Sequence, residues 1–482
     1  MNDLPQEFVE IVNDAFGSAV ASELCGALLS AEQSVAVRLN PFKLPLQERA
    51  KVVETVLNEL GGDGCNFCNG FKVPWCSSGV YLTKRPSFTF DPLFHAGAYY
   101  VQDPSAMYME MALKVAGYTT GESLENLKVL DLCAAPGGKS THLLSLLPSN
   151  SLLVSNEVIN SRATILAENI TKWGCDNVAV TNSDPSDFSN LKEWFDIIVV
   201  DAPCSGEGMF RKDPNAIKEW SLANVKLCSE RQQRILSDIW PALAPGGVLI
   251  YSTCTFNRYE NDRIIEFLVG DFGAEIISLS SLAKEFPQLY ITGAGGCQFI
   301  PGRVEGEGQY LAIVRKTEES SSCGSINKTL PSRKERWKGG LNNKGKFTVP
   351  QFLKSFTDKD YELSLKNDLI KAVPRRHIAS LSRLEASLKV ILSGRAVANT
   401  LGAPAADLAL SANISAIDLP RVELSKDEAV KFLQREPLVF KDSPKGYLLL
   451  TYMGLGLGFV KNLGNRSNSL LPMSRRILKQ WH

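Results

Sequence analysis

The sequence has no charge of either sign to spare, since 52 basic residues stand against 52 acidic ones. Net charge therefore argues for no nucleic-acid partner, and only local clusters can do so. No apolar run is long enough to cross a bilayer. The opening Met1-Asn2-Asp3-Leu4-Pro5 lacks the basic-then-apolar pattern of a leader, which reads as a cytoplasmic chain without a membrane partner. Histidine is scarce, with 4 in 482 residues. Cys65-Asn66-Phe67-Cys68 with Cys76 has a metal-like start but no fourth ligand at a suitable spacing, so free thiols and no metal are expected there. The cysteines number 11, odd and scattered, which argues for reduced thiols over a disulfide framework. What remains, 44% apolar and 22% charged, is an ordinary globular composition of a length that suggests two to four domains.

The stretch Val129-Leu130-Asp131-Leu132-Cys133-Ala134-Ala135-Pro136-Gly137-Gly138-Lys139-Ser140 reads as a strand, a glycine turn and a helix start. Glycines there let backbone approach a ligand, and the helix start offers free N–H groups. The spacing matches neither G-x-G-x-x-G nor the phosphate-cradle loop. Three more apolar runs end at or near an acid: Leu152 to Glu157, Val178 to Asp184 and Phe195 to Asp201. In an open α/β sheet such ends converge on one crevice, and an acid after the second strand is placed for ribose hydroxyls. A lone strand-end Asp is commonly a helix cap, but four acids in series exceed what capping explains.

In chain order, Phe8, Ile11, Val12, Phe16 and Val20 have helical spacing. Ser34 to Asn40 reads as a strand with Arg38 and Asn40 on one face, and 61–94 as short strands and loops. Residues 1–98 then form a small α+β module, either RNA-binding or a packing annex. Residues 99–316 alternate strand and helix, as a doubly wound, Rossmann-like α/β domain should. Ser161 to Trp173 and Ser229 to Leu243 are predicted helices, Gly246 to Cys254 a strand, and Leu311 to Val314 a late edge strand. Residues 317–349 are a polar, basic linker. Residues 350–482 suggest a β-rich module with strands near Val390 to Leu392, Leu438 to Phe440 and Tyr447 to Leu450. Arg466, Arg475, Arg476 and Lys479 give it a basic edge.

Asp201-Ala202-Pro203-Cys204-Ser205-Gly206 and Ser252-Thr253-Cys254-Thr255 each follow a strand, so adjacent strand ends would bring both thiols to the crevice. Cytosine explains the need for a thiol: C5 is a poor nucleophile until a thiolate adds at C6. A second thiol suits the elimination that follows, and an acid by the base's polar edge would steady the charge.

Cys133 to Lys139, Asp201 to Gly206 and Ser252 to Cys254 resemble the signature of the Nop/Sun-type RNA cytosine-C5 methyltransferases. Gly206-Glu207-Gly208-Met209-Phe210-Arg211-Lys212-Asp213-Pro214 and the C-terminal module resemble the bacterial branch that acts on small-subunit ribosomal RNA. The resemblance implies S-adenosylmethionine held by Cys133, Ala134, Ala135, Pro136, Gly137, Gly138 and Lys139, with Glu157 on the ribose, Asp184 near the adenine and Asp201 beside the methionine part. It implies Cys254 as nucleophile, Cys204 in product release, Lys139 and Asp201 near the substrate, and a PUA-like RNA-binding domain over 350–482. Lys139 is also the candidate for lowering the thiol pKa. The expected protein is a monomeric RNA methyltransferase of the cytoplasm. The competing readings are a tRNA cytosine-C5 enzyme, another methyltransferase on the same fold (a DNA cytosine, amino-group or protein methyltransferase), and a non-catalytic RNA-binding assembly factor.

Overall fold

The computed structural model describes residues 4–30, 33–44, 72–82, 85–118, 124–317, 348–356 and 360–479. Cys65, Cys68 and most of the 317–349 linker lie outside them. Three N-terminal strands, β1 (Val35–Leu39), β2 (Gly79–Leu82) and β3 (Tyr99–Val101), form an antiparallel sheet with β1 in the middle.

The central sheet is built from β4 (Lys128–Asp131), β5 (Leu152–Asn156), β6 (Val178–Thr181), β7 (Phe195–Asp201) and β8 (Leu243–Thr253), all parallel in the order β8-β7-β4-β5-β6. The chain walks outward from β4 through β5 to β6, then returns to the other side of β4 with β7. The switch point is therefore the gap between β4 and β7, the place where such sheets bind ligands. Aligned residues alternate between the two faces: Val129, Leu153, Ile197 and Val248 point to one, Leu130, Val154, Ile198 and Leu249 to the other. Leu143 and Leu144 of the Gly138–Leu146 helix and Leu166, Ile170 and Trp173 of the Asn160–Trp173 helix cover the first face. Ile235, Leu236 and Ile239 of the Leu222–Ile239 helix cover the second. Burial on both faces is why these strands read as unbroken apolar runs.

Four short antiparallel strands extend the β8 side: β9 (Glu275–Ile276), β10 (Tyr290–Ile291), β11 (Cys297–Phe299) and β12 (Gln309–Arg315). The expected edge strand at Leu311 to Val314 is thus internal, with β8 on one side and β11 and β9 on the other. Two- and three-residue strands are too short for alternation to show.

The C-terminal part contributes β13 (Tyr361–Lys366), β14 (Leu369–Pro374), β15 (Val390–Ser393) and β16 (Arg395–Asn399), then a four-stranded sheet of β17 (Arg421–Glu423), β18 (Gly446–Tyr452), β19 (Leu455–Asn462) and β20 (Ser467–Ser469). β15 pairs antiparallel with β6 and so extends the central sheet. Leu438 to Phe440 forms no strand, because the Leu438 carbonyl accepts from Ser467 Oγ and the Phe440 carbonyl from Asn462 Nδ2 in place of a ladder. The helix expected from Ser229 starts at Leu222, capped by Ser221 Oγ on Asn224 N, and stops at Ile239, because the chain turns into β8 at Leu243.

The N- and C-terminal parts share a core in which Val37, Leu39 and Tyr99 pack with Phe432, Leu448 and Ile477. Phe8, Val12 and Leu24 of the first two helices pack instead on Phe210, Trp220 and Phe256, beside the crevice loops.

Candidate active site

β4 ends in Asp131, which is fully buried. Its Oδ2 accepts from Ser140 Oγ at 2.6 Å, and its Oδ1 has no partner among the described residues. Burial pushes this carboxyl up to about 7, with Asp201 adding to the rise and Ser140 opposing it. Beyond it the loop Cys133 to Lys139 turns at Gly137, whose φ of 114° suits glycine. A Cβ on Gly138 would come within 3.3 Å of the Tyr100 ring. The loop is held from below by Arg162 Nη2 on the Ala135 carbonyl (2.9 Å) and Asn169 Nδ2 on the Pro136 carbonyl (2.8 Å).

Arg38 also reaches this loop. Its buried guanidinium donates to Gln102 Oε1, to the Gly138 and Thr141 carbonyls and to Ser145 Oγ, and stacks 4.7 Å from the Trp173 ring. No carboxylate pairs with it among the described residues, and burial lowers its pKa to about 10. Asn40, one residue past β1, donates to the Gly97 and Trp173 carbonyls.

At the end of β5, buried Glu157 accepts from Ile159 N at 2.9 Å and lies 3.4 Å from Arg162. Asp184, just past β6, caps a short helical turn by accepting from Ser186 N and Oγ, and pairs with Arg234 at 3.5 Å. Slight burial opposes the charge, but these donors outweigh it and hold the carboxyl below its usual range.

Asp201 ends β7 and is clamped from three sides. Lys139 Nζ lies 2.8 Å from Oδ2, while Oδ1 accepts from Ser252 Oγ at 2.7 Å and from Gln309 Nε2 at 3.2 Å. Ser252 in turn accepts from buried Tyr108 at 2.6 Å. Lys139 thus has a charge partner in Asp201, a pairing the sequence did not announce.

The sulfurs of Cys204 and Cys254 lie 3.1 Å apart, both as free thiols. Their contact, then burial, pushes the Cys204 thiol well above its ordinary value. Cys133, in the loop, is also pushed up by burial. Two buried carboxylates that sequence reasoning did not single out as site residues hold the thiol loops together. Glu260 accepts from Ser205 N (2.9 Å), Gln232 Nε2 (3.0 Å) and Asn257 Nδ2 (2.8 Å). Glu207 accepts from Trp220 Nε1 (3.1 Å), Asn257 Nδ2 (2.8 Å) and Phe256 N (2.6 Å), and burial pushes it up to about 8, Glu260 adding to the rise. The signal for Glu260 was the polar-rich run Thr255 to Asp262 directly behind a strand-end thiol; Glu207 stands apart from it, in the Gly206 to Pro214 stretch.

Elsewhere, Cys76, Glu110 and His142 bring their ligand atoms within 4.8 Å of one another. Cys76 Sγ contacts His142 Nε2 at 3.6 Å, and Glu110 is occupied by Ser77 N and Oγ. Arg475 of the expected basic edge is not free, since it bonds Glu168 at 2.8 Å and Asp407 at 2.6 Å. Among the described residues no helix is long and apolar enough to cross a membrane.

Crevice residues on five strand ends, a glycine loop and paired thiols can hold a cofactor and perform thiol chemistry on a base. Residues 120–315 match the family described as 16S rRNA methyltransferase RsmB/F, residues 4–104 the N-terminal domain of 16S rRNA methyltransferase RsmF, and residues 419–477 the methyltransferase RsmF PUA domain. Ribosomal RNA small subunit methyltransferase F of Shewanella baltica is 31% identical over 421 residues, 83% of this chain and 84% of that relative. The same-named protein of Aliivibrio salmonicida is 29% identical over 487 residues, 97% of each chain. Among solved structures, a methyltransferase homolog protein from Pyrococcus horikoshii is 26% identical with a TM-score of 0.53, covering 65% of this chain and 95% of that one. NSun6 from Pyrococcus horikoshii, 19% identical with a TM-score of 0.52 over 66% of this chain and 99% of that one, shares the fold.

Proposed function

Since the chain belongs to the RsmB/F family of 16S rRNA methyltransferases, we propose that it methylates C5 of a cytidine in small-subunit ribosomal RNA through a covalent Cys254 adduct, with S-adenosylmethionine as donor. The observation that carries this is the 3.1 Å approach of Cys204 and Cys254 at the ends of β7 and β8, beside clamped Asp201.

The cradle suits the cofactor. Asp131, with a buried carboxylate oxygen lacking a partner, Glu157 and Asp201 offer acceptors to a cationic, hydroxyl-bearing ligand, and Gly137 and Gly138 leave room for it. Cys133 to Gly138 with Lys139 would hold its body, Glu157 its ribose and Asp184 its adenine side. When bound it supplies an electrophilic methyl group.

The protein's own steps follow from its thiols. An RNA cytidine is drawn out of its stack, at a cost of about a few kcal/mol. Cys254, as thiolate, forms an S–C6 bond, and the C5–C6 π pair makes C5 nucleophilic. Asp201, oriented by Lys139, Ser252 and Gln309, accepts hydrogen bonds from the base's amino edge. Once C5 carries the methyl group its proton must leave. Bonding Cys254 to carbon removes the largest of the causes that raise the Cys204 thiol; Cys204 then gives its proton to solvent and, as thiolate, takes the C5 proton while the electron pair of the breaking S–C6 bond returns to Cys254. The N-terminal module and the PUA domain would grip the RNA around the site.

The test is a trapped intermediate. Cys204→Ala should accumulate a nuclease-sensitive RNA–protein adduct on denaturing gels, and Cys254→Ala should not. An adduct that instead requires Cys204 would reverse the roles, as in a DNA-type cytosine enzyme. No adduct with any RNA would leave a binding factor.

A further inference from the structure

Away from the thiols, a cleft of about 520 Å³ opens between the N-terminal sheet, the end of the Asn160–Trp173 helix and Lys479. Its size is in the range of small-ligand sites, about 300–1,000 Å³. Arg85, Lys172 and Lys479 line it, and none of the described residues that line it is acidic. Glu168, whose charge Lys172 feels, is already held by Arg475 at 2.8 Å. Lys172 is half-buried, and its ammonium is lowered by that burial, so an anion in the cleft would relieve it.

Aromatic rings alternate with the cations. Lys172 Nζ lies 5.3 Å from the centre of the Phe94 ring and the Arg85 guanidinium 5.7 Å from that of Phe88. Tyr100 is half-buried in the wall, and Trp173, also a wall residue, has a buried indole N–H without a partner among the described residues. Cations interleaved with π faces form the usual surface for single-stranded nucleic acid. The cleft also bears on the cofactor loop, through Asn169 on the Pro136 carbonyl and Tyr100 against Gly138.

The geometry points to a second nucleotide subsite here, which takes an unpaired nucleotide of the substrate other than the target, its phosphates on Arg85, Lys172 and Lys479 and its base against Tyr100 and Phe88. This rests on the reading of the substrate as RNA. An occupied cleft would press on the loop that holds the methyl donor, so flanking sequence would be sensed before transfer.

The experiment uses the full chain and a single-stranded RNA oligonucleotide, with affinity read by fluorescence anisotropy across a salt series. Each phosphate contact on a single strand contributes about 0.7 to the slope of log K against log salt. Arg85→Ala/Lys172→Ala/Lys479→Ala should lower that slope by about 2, and Tyr100→Leu should weaken binding about tenfold at fixed salt, as expected for one stacked base. Circular dichroism and thermal melting, measured alongside, report whether each variant is folded. An unchanged slope and affinity in folded variants overturns the subsite. If the wild type methylates small-subunit RNA in that case, the function stands without the cleft. If it binds RNA with the expected slope but transfers no methyl group, the cleft stands and the function falls.

Discussion

Gly208 donates its backbone N–H to the carbonyl of Cys254 at 2.8 Å, and a side chain at Gly208 would come within 2.8 Å of that oxygen and 3.0 Å of the Cys254 Cβ. The two thiol loops are therefore registered by direct backbone contact. Gly208→Ala must push Cys254 away from Cys204. The expected outcome is a loss of single-turnover methyl transfer of about 100-fold, the scale on which an ångström of misplacement acts. Unaltered cofactor binding would show that the loss is local.

Asp201 holds the pivot of the other half. Asp201→Asn removes the charge that meets Lys139 at 2.8 Å but keeps the shape. The single-turnover rate should fall by about 100- to 1,000-fold, as for loss of one preorganised electrostatic partner. Adduct formation in the Cys204→Ala background should fall with it.

The buried carboxyls set a pH dependence of stability. Asp131 is raised to about 7 and Glu207 to about 8 in the folded chain. Both bind protons more tightly folded than unfolded, so their contribution is full below the unfolded value near about 4 and is lost as pH rises through those folded values. Urea unfolding between these limits should show stability falling with pH. Glu207→Gln should flatten the fall.

Arg38→Met would test the anchor between β1 and the cofactor loop. It removes the Arg38 donors from the Gly138 and Thr141 carbonyls, which keep Thr141 Oγ1 and Ser145 Oγ, and from Gln102 and Ser145, while keeping much of the packing against Trp173. A loss of about 3 kcal/mol is expected in chemical unfolding, the scale for a buried charged donor of several hydrogen bonds. A parallel weakening of S-adenosylmethionine binding would show that the N-terminal module shapes the site.

Arg475→Ala separates docking from RNA contact. Its guanidinium ties the C-terminal part to Glu168 of the Asn160–Trp173 helix and to Asp407. Thermal stability should fall by about 1–2 kcal/mol, discounted for the partial exposure of both acids. The salt slope of RNA binding should fall by no more than one phosphate contact, about 0.7, because the freed Glu168 bears on Lys172 alone of the three cleft cations.

The strand–loop–helix at Val129 to Ser140, the acids at strand ends and both thiols were legible because doubly buried parallel strands leave unbroken apolar runs, with chemistry at their carboxyl ends. The fates of individual charges were not. Lys139 pairs with Asp201 and Arg475 docks a module, because such partners are separated by tens or hundreds of residues and chosen only by the fold, whereas Asp184 caps its own turn through Ser186, two residues on. Leu438 to Phe440 has the composition of a strand, yet side chains from Ser467 and Asn462 take its carbonyls. Glu207 and Glu260, whose role is to sew two loops, carry no motif for that work.

The shared core of Val37, Leu39 and Tyr99 with Phe432, Leu448 and Ile477 sets the order of assembly during synthesis. β1 and β3 emerge from the ribosome first, but the side chains that cover them are translated almost last. The apolar face of that small sheet stays open while roughly four hundred residues are added, at about 5–20 residues per second. The nascent chain thus carries an exposed sticky surface for tens of seconds, until its last strands and turns arrive to cover it.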